Sequence, residues 1–157
     1  MERKLIIRNF GAIASADIAL KDFNIFIGEQ GAGKSTVAKL ITIFENSRDK
    51  VLKVDSDYLM TKFSEYNIIS YFNPDSYISY SSEQGDITYE DGSFNFTFSY
   101  HSTSHNLYIP AERFFISTFS RSIATLVLSK APIPVTLLEF ASFYEKAKNL
   151  FVNYQVP

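Results

Sequence analysis

Apolar and polar residues alternate in two short runs at the start of the chain. The runs are RKLIIRNF at residues 3–10 and AIASADIAL at residues 12–20, separated by Gly11, which permits a tight turn. We therefore predict two antiparallel strands here. The next run, FNIFIG at residues 23–28, is almost continuously apolar and predicts a third strand.

The spacing of the apolar residues becomes helical after residue 34. In STVAKLITIFEN, residues 35–46, apolar side chains recur at intervals of three and four, which predicts a helix with one buried face. A short helix is expected over DSDYLMTKFSEY, capped by Asp55 or Ser56. Two further helices are predicted over residues 111–129 and 135–154, on either side of Pro132 and Pro134.

The middle of the chain has the shorter alternation of strands. NIISYFN and SYISYSS are predicted to be extended on either side of Pro74, and NLYIP at residues 106–110 predicts a strand that ends at its proline. DITYEDGSFNFTFSY predicts a hairpin that turns at Asp91-Gly92, where a two-residue turn needs positive φ angles. The order of elements predicts an α/β fold with a central mixed sheet, an antiparallel β-subdomain and C-terminal helices.

Composition narrows the class of protein without deciding it. The chain has 157 residues, which suits one domain or part of a larger one, and its 15 Phe and 10 Tyr predict an aromatic core. A net charge of −2 gives no global basic field for nucleic acid. The absence of cysteine and of any apolar run long enough for a signal peptide or a membrane span leads us to expect a cytoplasmic protein.

The strongest chemical signal is GEQGAGKST, residues 28–36, which has the G-x-x-x-x-G-K-S pattern of a phosphate-binding loop, or Walker A motif. We call these residues the phosphate loop; they are Gly28, Glu29, Gln30, Gly31, Ala32, Gly33, Lys34, Ser35 and Thr36. The glycines let backbone N–H groups point at phosphate oxygens, and the following helix presents the positive end of its dipole. Lys34 is expected to reach the β- and γ-phosphates, and the Ser35 hydroxyl to bind Mg²⁺. The predicted ligand is ATP or ADP with Mg²⁺.

Two other constellations could carry chemistry. Asp55 and Asp57 follow the loop at a spacing used by small-molecule kinases, in which an aspartate can act as a base on a substrate hydroxyl. Helix capping is the simpler interpretation of these two residues. His101 and His105 lie too far apart on a strand to share a metal ion.

The segment LIIRNFGAIASADIALKDFNIFIGEQGAGKST resembles the start of ABC-type ATPases of the SMC, RecF and overcoming-lysogenization-defect group. In that group a strand ends in Asn-Phe, here Asn9 and Phe10, and a glycine turn and second strand precede the loop. The segment YIPAERFF resembles the Pro-Ala-Glu-Arg region of bacterial AAA/ABC-like ATPases, some of them linked to phage defence. Glu112 and Arg113 stand where relatives carry a loop that senses the γ-phosphate, but the residue types differ, so their role stays open.

The resemblance also implies parts that this sequence lacks. Such ATPases use a Walker B strand ending in Asp-Glu and an LSGG-like segment supplied in trans, and neither pattern occurs here. We therefore expect residues 1–157 to form one nucleotide-binding lobe, the first part of a larger ATPase head, which binds Mg-ATP and needs a second lobe or a homodimer partner for hydrolysis. No residue is assigned a catalytic role. A function in DNA maintenance or phage defence follows from the resemblance alone. The alternatives are a kinase that uses Asp55 and Asp57, and a non-catalytic nucleotide-sensing module.

Overall fold

An antiparallel sheet dominates the first of the two compact units into which the chain divides, Met1–Asn106 and Leu107–Pro157. The computed structural model describes residues 3–47, 55–98, 106–111, 128 and 132–153. The strands described are β1 (Arg3–Phe10), β2 (Ile13–Leu20), β3 (Tyr77–Ser82), β4 (Gly85–Glu90) and β5 (Ser93–Phe98), in the spatial order β2-β1-β3-β4-β5. The helices described are α1 (Lys34–Ser47), α2 (Ser56–Glu65), a 3₁₀ turn (Ile69–Tyr71) and, in the second unit, α3 (Val135–Asn153). The α/β class is confirmed.

The sheet places β1 between two partners. Ile7 pairs with Ala16 of β2 on one side and with Ile78 of β3 on the other, both antiparallel. Leu5 and Ile7 are fully buried, Ile6 between them is half-buried, and Lys4 just before Leu5 is exposed. The alternation in the sequence therefore sets which face of β1 enters the core.

Aromatic side chains fill the core between the sheet and the helices, as the composition predicts. The rings of Phe10 and Phe63 meet edge to face at 5.9 Å, and Phe72 lies 4.9 Å from each of them. Such offset and edge contacts are the favourable geometries for aromatic rings. They tie β1 to α2 and to the segment that follows the 3₁₀ turn.

Helix α1 joins this core through one apolar face and one polar contact. Phe44 is fully buried and its ring lies 5.7 Å from that of Tyr80 on β3. The Tyr80 hydroxyl donates a hydrogen bond to the Glu45 carboxylate, which is itself buried. Arg3 Nη1 approaches the same carboxylate at 3.6 Å. This contact attaches the helix that follows the phosphate loop to the middle of the sheet.

Two local predictions in the first unit are confirmed. Asp91 and Gly92 have φ angles of 50° and 79° and connect β4 to β5. Asp55 caps α2, because its side chain accepts a hydrogen bond of 2.9 Å from the Tyr58 backbone N–H. Both features depend on residues only one to three positions apart, which is why the sequence pattern predicts them.

Three predicted strands are wrong in the described residues. Residues 67–73 contain the 3₁₀ turn instead of a strand, and residues 106–110 are coil. The apolar run at residues 23–28 also lies outside the sheet. The solvent-exposed fractions of Phe23, Ile25 and Ile27 are 80%, 70% and 91%. A strand needs a neighbour to accept its backbone hydrogen bonds, and the pairings among the described strands do not include this segment. The described sheet is antiparallel throughout and corresponds to the predicted β-subdomain.

In the second unit the predicted C-terminal helix is confirmed as α3. The helix predicted over residues 111–129, with Glu112 and Arg113, falls almost wholly outside the described residues. Within the part of the chain that is described, no helix is both long enough and apolar enough to cross a membrane.

Candidate phosphate-binding site

The phosphate loop leads from the coil at residues 24–28 into the first turn of α1. Gly31 and Gly33 have φ angles of +84° and +85°, which lie in the left-handed region that side chains with a Cβ rarely adopt. Helix α1 begins at Lys34, and the Val37 N–H donates its first hydrogen bond to the Gly33 carbonyl at 2.9 Å. The glycine loop and the helix therefore follow each other as the motif requires, but the segment before the loop is coil where the motif usually has a strand.

Lys34 folds back over its own loop. Its Nζ donates a hydrogen bond of 2.8 Å to the Gly28 carbonyl and a second one to the Glu29 carbonyl. The Ala32 N–H also closes onto Glu29, at 3.4 Å from its carbonyl oxygen. The ammonium group thus lies over the start of the loop and carries a positive charge beside the exposed glycines.

The remaining loop residues differ in exposure. Gly28, Glu29, Gln30, Gly31, Ala32 and Ser35 are exposed. A Cβ built on Gly31 would meet no atom within 4 Å, so open space adjoins the loop there. Thr36 is only 5% exposed, so its side chain is mostly covered, whereas Ser35 is an exposed residue.

Gly33 is held against β2. A Cβ built on this glycine would lie 2.5 Å from Ile13 Cγ1 and 3.0 Å from Ile13 Cδ1, distances at which atoms overlap. Ile13 is the first residue of β2 and is 7% exposed. The loop therefore rests on the β1–β2 hairpin, a contact that the motif alone does not reveal.

A cleft of about 430 Å³ opens beside Lys34. Residues 12–16, at the start of β2, form one wall. The coil before the loop, the loop itself and the start of α1 form the rest. The lining residues are Ala12, Ile13, Ala14, Ser15, Ala16, Ile25, Phe26, Ile27, Ala32, Lys34 and Val37. Its volume is in the range of small-molecule sites. Sequence reasoning missed this cleft, because only folding brings residues 12–16 beside residue 34.

The rival aspartates are not part of this cleft. Asp55 is engaged as the N-cap of α2, and Asp57 lies in the first turn of the same helix. The described residues contain no group of three or more His, Asp or Glu side chains that could hold a metal ion. His101, His105, Glu112 and Arg113 lie outside the described residues, so their predicted roles are not tested.

Comparison with known protein families agrees with this geometry. The family described as "AAA ATPase domain" matches residues 1–149. The chain belongs to the AAA ATPase domain family. The match spans both structural units, and it includes the β1–β2 hairpin and the phosphate loop. No curated protein matches the chain.

Membership in an ATPase family implies nucleotide binding and the use of ATP, which usually carries Mg²⁺. The residues present fit a phosphate chain: the loop is open where Gly31 faces free space, one ammonium group lies over it, and a helix N-terminus follows. Ser35 is exposed at the helix start and offers the hydroxyl oxygen that Mg²⁺ takes in such loops. Bound Mg²⁺ would neutralise charge on the phosphates.

Proposed function

We propose that this domain binds Mg-ATP and Mg-ADP through Gly28–Thr36, with Lys34 on the β- and γ-phosphates and Ser35 on Mg²⁺. The observation that carries this proposal is the phosphate loop itself, which has two left-handed glycines, open space beside Gly31 and the Lys34 ammonium group over its start. Family membership supports ATP as the nucleotide.

Lys34 gives the sharpest test, because its described hydrogen bonds go only to carbonyl groups of its own loop. Replacing it by alanine removes the charge that would pair with the phosphates while leaving the core untouched. We expect Lys34→Ala to weaken Mg-ATP binding about tenfold or more, since a hydrogen bond to a charged group contributes roughly 1.5–3 kcal/mol. The melting temperature should change little.

Titration calorimetry on the purified chain measures this effect, and Lys4→Ala is the matched control. Lys4 is an exposed lysine on β1, so its removal changes the net charge equally without touching the loop. If the wild type binds no nucleotide while folded, the proposal is wrong. Equal losses in both variants would mean that Lys34 contributes only a diffuse charge.

We further propose that turnover needs groups beyond this chain, which resembles the first lobe of an SMC-, RecF- or OLD-like head. The cleft beside Lys34 has no acidic residue in its lining, so among the described residues no carboxylate stands there to orient a water molecule. Losing one transition-state stabiliser typically costs a hundredfold or more in rate. Phosphate release by the purified chain should therefore be close to background, and turnover near one per second that Lys34→Ala abolishes would contradict this.

The partner that supplies those groups is a second ATPase lobe or a second copy of the chain. Support comes from Phe23, Ile25 and Ile27, three large apolar side chains at alternate positions that are exposed immediately before the phosphate loop. Exposed apolar patches of this kind mark surfaces that another element covers. Action on DNA or in phage defence rests on the sequence resemblance alone.

A nucleotide-sensing module without turnover is the second candidate, and the same acid-free cleft favours it. The two candidates separate on adding the partner lobe: sensing predicts that hydrolysis stays absent, whereas a split ATPase predicts that it appears. A kinase using Asp55 has less support, because that carboxylate already accepts the capping hydrogen bond of α2. Screening small hydroxyl compounds for phosphoryl transfer tests that alternative.

A further inference from the structure

Gly33 is the joint between the phosphate loop and α1. Its carbonyl accepts the first hydrogen bond of the helix from Val37, and the next residue is Lys34. A small rotation of the Gly33 backbone therefore redirects both the helix N-terminus and the base of the lysine side chain. Whatever fixes Gly33 also fixes the directions of the groups proposed to hold phosphate.

Ile13 is the side chain that lies against this joint. Its Cγ1 and Cδ1 would be 2.5 and 3.0 Å from a Cβ on Gly33, so the two residues touch with no room for even a methyl group. Ile13 is 7% exposed and Val37, one helical turn beyond the joint, is 6% exposed. A β-branched side chain at this place is stiff, because few χ1 rotamers are open to it.

The hairpin turn that carries Ile13 is fixed from its other side. The Gly11 N–H donates a hydrogen bond of 3.1 Å to the Tyr71 carbonyl, and a Cβ on Gly11 would lie 2.6 Å from the Tyr71 ring. Asn9, just before the turn, accepts hydrogen bonds of 2.6 Å on its carbonyl from Asn73 Nδ2 and Ser76 Oγ. The turn that precedes Ile13 is therefore held against the segment after α2, which restricts how far the Ile13 backbone can shift away from Gly33.

We propose that Ile13 is a positioning residue for the phosphate loop: its side chain sets the Gly33 backbone, and the clamped β1–β2 turn holds Ile13 in place. This role in affinity rests on the proposed nucleotide binding. The packing of Ile13 on the Gly33 backbone does not depend on that binding. It predicts that a residue outside the motif, twenty positions before Gly33, tunes the affinity for the phosphate chain.

Calorimetry with two probes, Mg-ATP and magnesium tripolyphosphate, tests this role in the full chain. We expect Ile13→Ala to weaken both ligands by the same factor, about tenfold, because it loosens the loop that both share. Ile13→Val keeps Cγ1 and should weaken both about twofold to threefold, a smaller loss in line with its smaller cavity. It also serves as the test if Ile13→Ala fails to fold.

Ile87→Ala and Ile87→Val are the matched controls, since Ile87 is also a buried isoleucine, on β4, and does not line the cleft. They should lower the melting temperature to a similar degree and leave both affinities unchanged. Hydrogen exchange of the Val37 amide gives a readout without ligand, and it should be faster in Ile13→Ala than in Ile87→Ala.

Unchanged affinities in the Ile13 variants overturn the positioning role. A loss for Mg-ATP but not for tripolyphosphate also overturns it, because Ile13 lines the cleft beside Lys34 and would then contact the nucleoside directly. If the wild type binds neither probe, the proposed function fails, and the exchange comparison alone decides: equal Val37 exchange in Ile13→Ala and Ile87→Ala overturns the coupling, and faster exchange in Ile13→Ala supports it.

Discussion

Gly11 shows at the scale of one residue how a turn is tied to a distant part of the chain. Its φ angle is +58°, and a Cβ at this position would lie 2.6 Å from Cδ2 and 2.9 Å from Cγ of Tyr71. Two penalties therefore oppose any larger side chain: the left-handed backbone and the overlap with the ring. The hydrogen bond from the Gly11 N–H to the Tyr71 carbonyl keeps the ring and the turn together.

We predict that Gly11→Ala lowers the free energy of unfolding by about 2–4 kcal/mol, of which the left-handed backbone accounts for roughly 1–2 and overpacking for the rest. Gly92→Ala is the control, because its φ angle is +79° and a Cβ there would meet no atom within 4 Å. That variant should pay only the backbone penalty. Urea denaturation measures both. Adding Tyr71→Ala should recover part of the Gly11→Ala loss, and strictly additive losses would show that the ring contact is unimportant.

At the scale of the elements, α2 illustrates how a capping residue resembles a catalytic one in sequence. Asp55 has an extended backbone, with φ −124° and ψ 177°, and its side chain accepts from the Tyr58 N–H. Helix α2 then buries Leu59 and Phe63 in the aromatic core. The carboxylate therefore helps to start a helix that carries core side chains, a role that needs no substrate.

We predict that Asp55→Ala destabilises the chain by about 0.5–2 kcal/mol, the usual range for losing an N-cap, and leaves the affinity for Mg-ATP unchanged. Asp57→Ala should have a smaller effect on stability, since Asp57 lies inside the first turn and does not cap it. Thermal denaturation and calorimetry on the same samples check both statements. A nucleotide affinity that falls tenfold in Asp55→Ala without a matching loss of stability would restore the kinase hypothesis.

At the scale of the whole molecule, the described residues include an exposed apolar segment immediately before the phosphate loop. Phe23, Ile25 and Ile27 are spaced as on one face of a strand, yet all three are mostly exposed. Burying such side chains contributes about 1.5–3 kcal/mol each relative to exposure, so any surface that covers them is favoured. The chain by itself should therefore self-associate.

We predict that the double variant Ile25→Thr/Ile27→Thr increases the monomer fraction in analytical ultracentrifugation while the melting temperature of the monomer stays the same. Ile69→Thr is the control, because Ile69 is a partly exposed isoleucine in the 3₁₀ turn, away from this segment. It should leave the association unchanged. A wild type that is monomeric at all concentrations would contradict the prediction, as would equal effects of the two variants.

Local chemistry is what the sequence by itself determined. Six features depend on residues that are close together in the chain: the β1–β2 hairpin, the turn at Asp91-Gly92, the Asp55 cap, α1, α3 and the phosphate loop. Their backbone preferences and apolar periodicities act over a few positions, so the pattern of residues alone predicts them. Membership in an ATPase family agrees with the nucleotide binding that the loop predicts.

Contacts between distant residues were decided only by the tertiary structure. Three features join residues that are far apart in the sequence, and no sequence pattern indicates that these residues meet. They are the packing of Ile13 on Gly33, the contact of Gly11 with Tyr71 and the cleft beside Lys34. The apolar run at residues 23–28 has the composition of a strand, but its pairing depends on a neighbour that none of the described strands provides. A strand is defined by its partner's hydrogen bonds and a helix by its own, and this is the physical reason why α1 and α3 were predicted correctly and this strand was not.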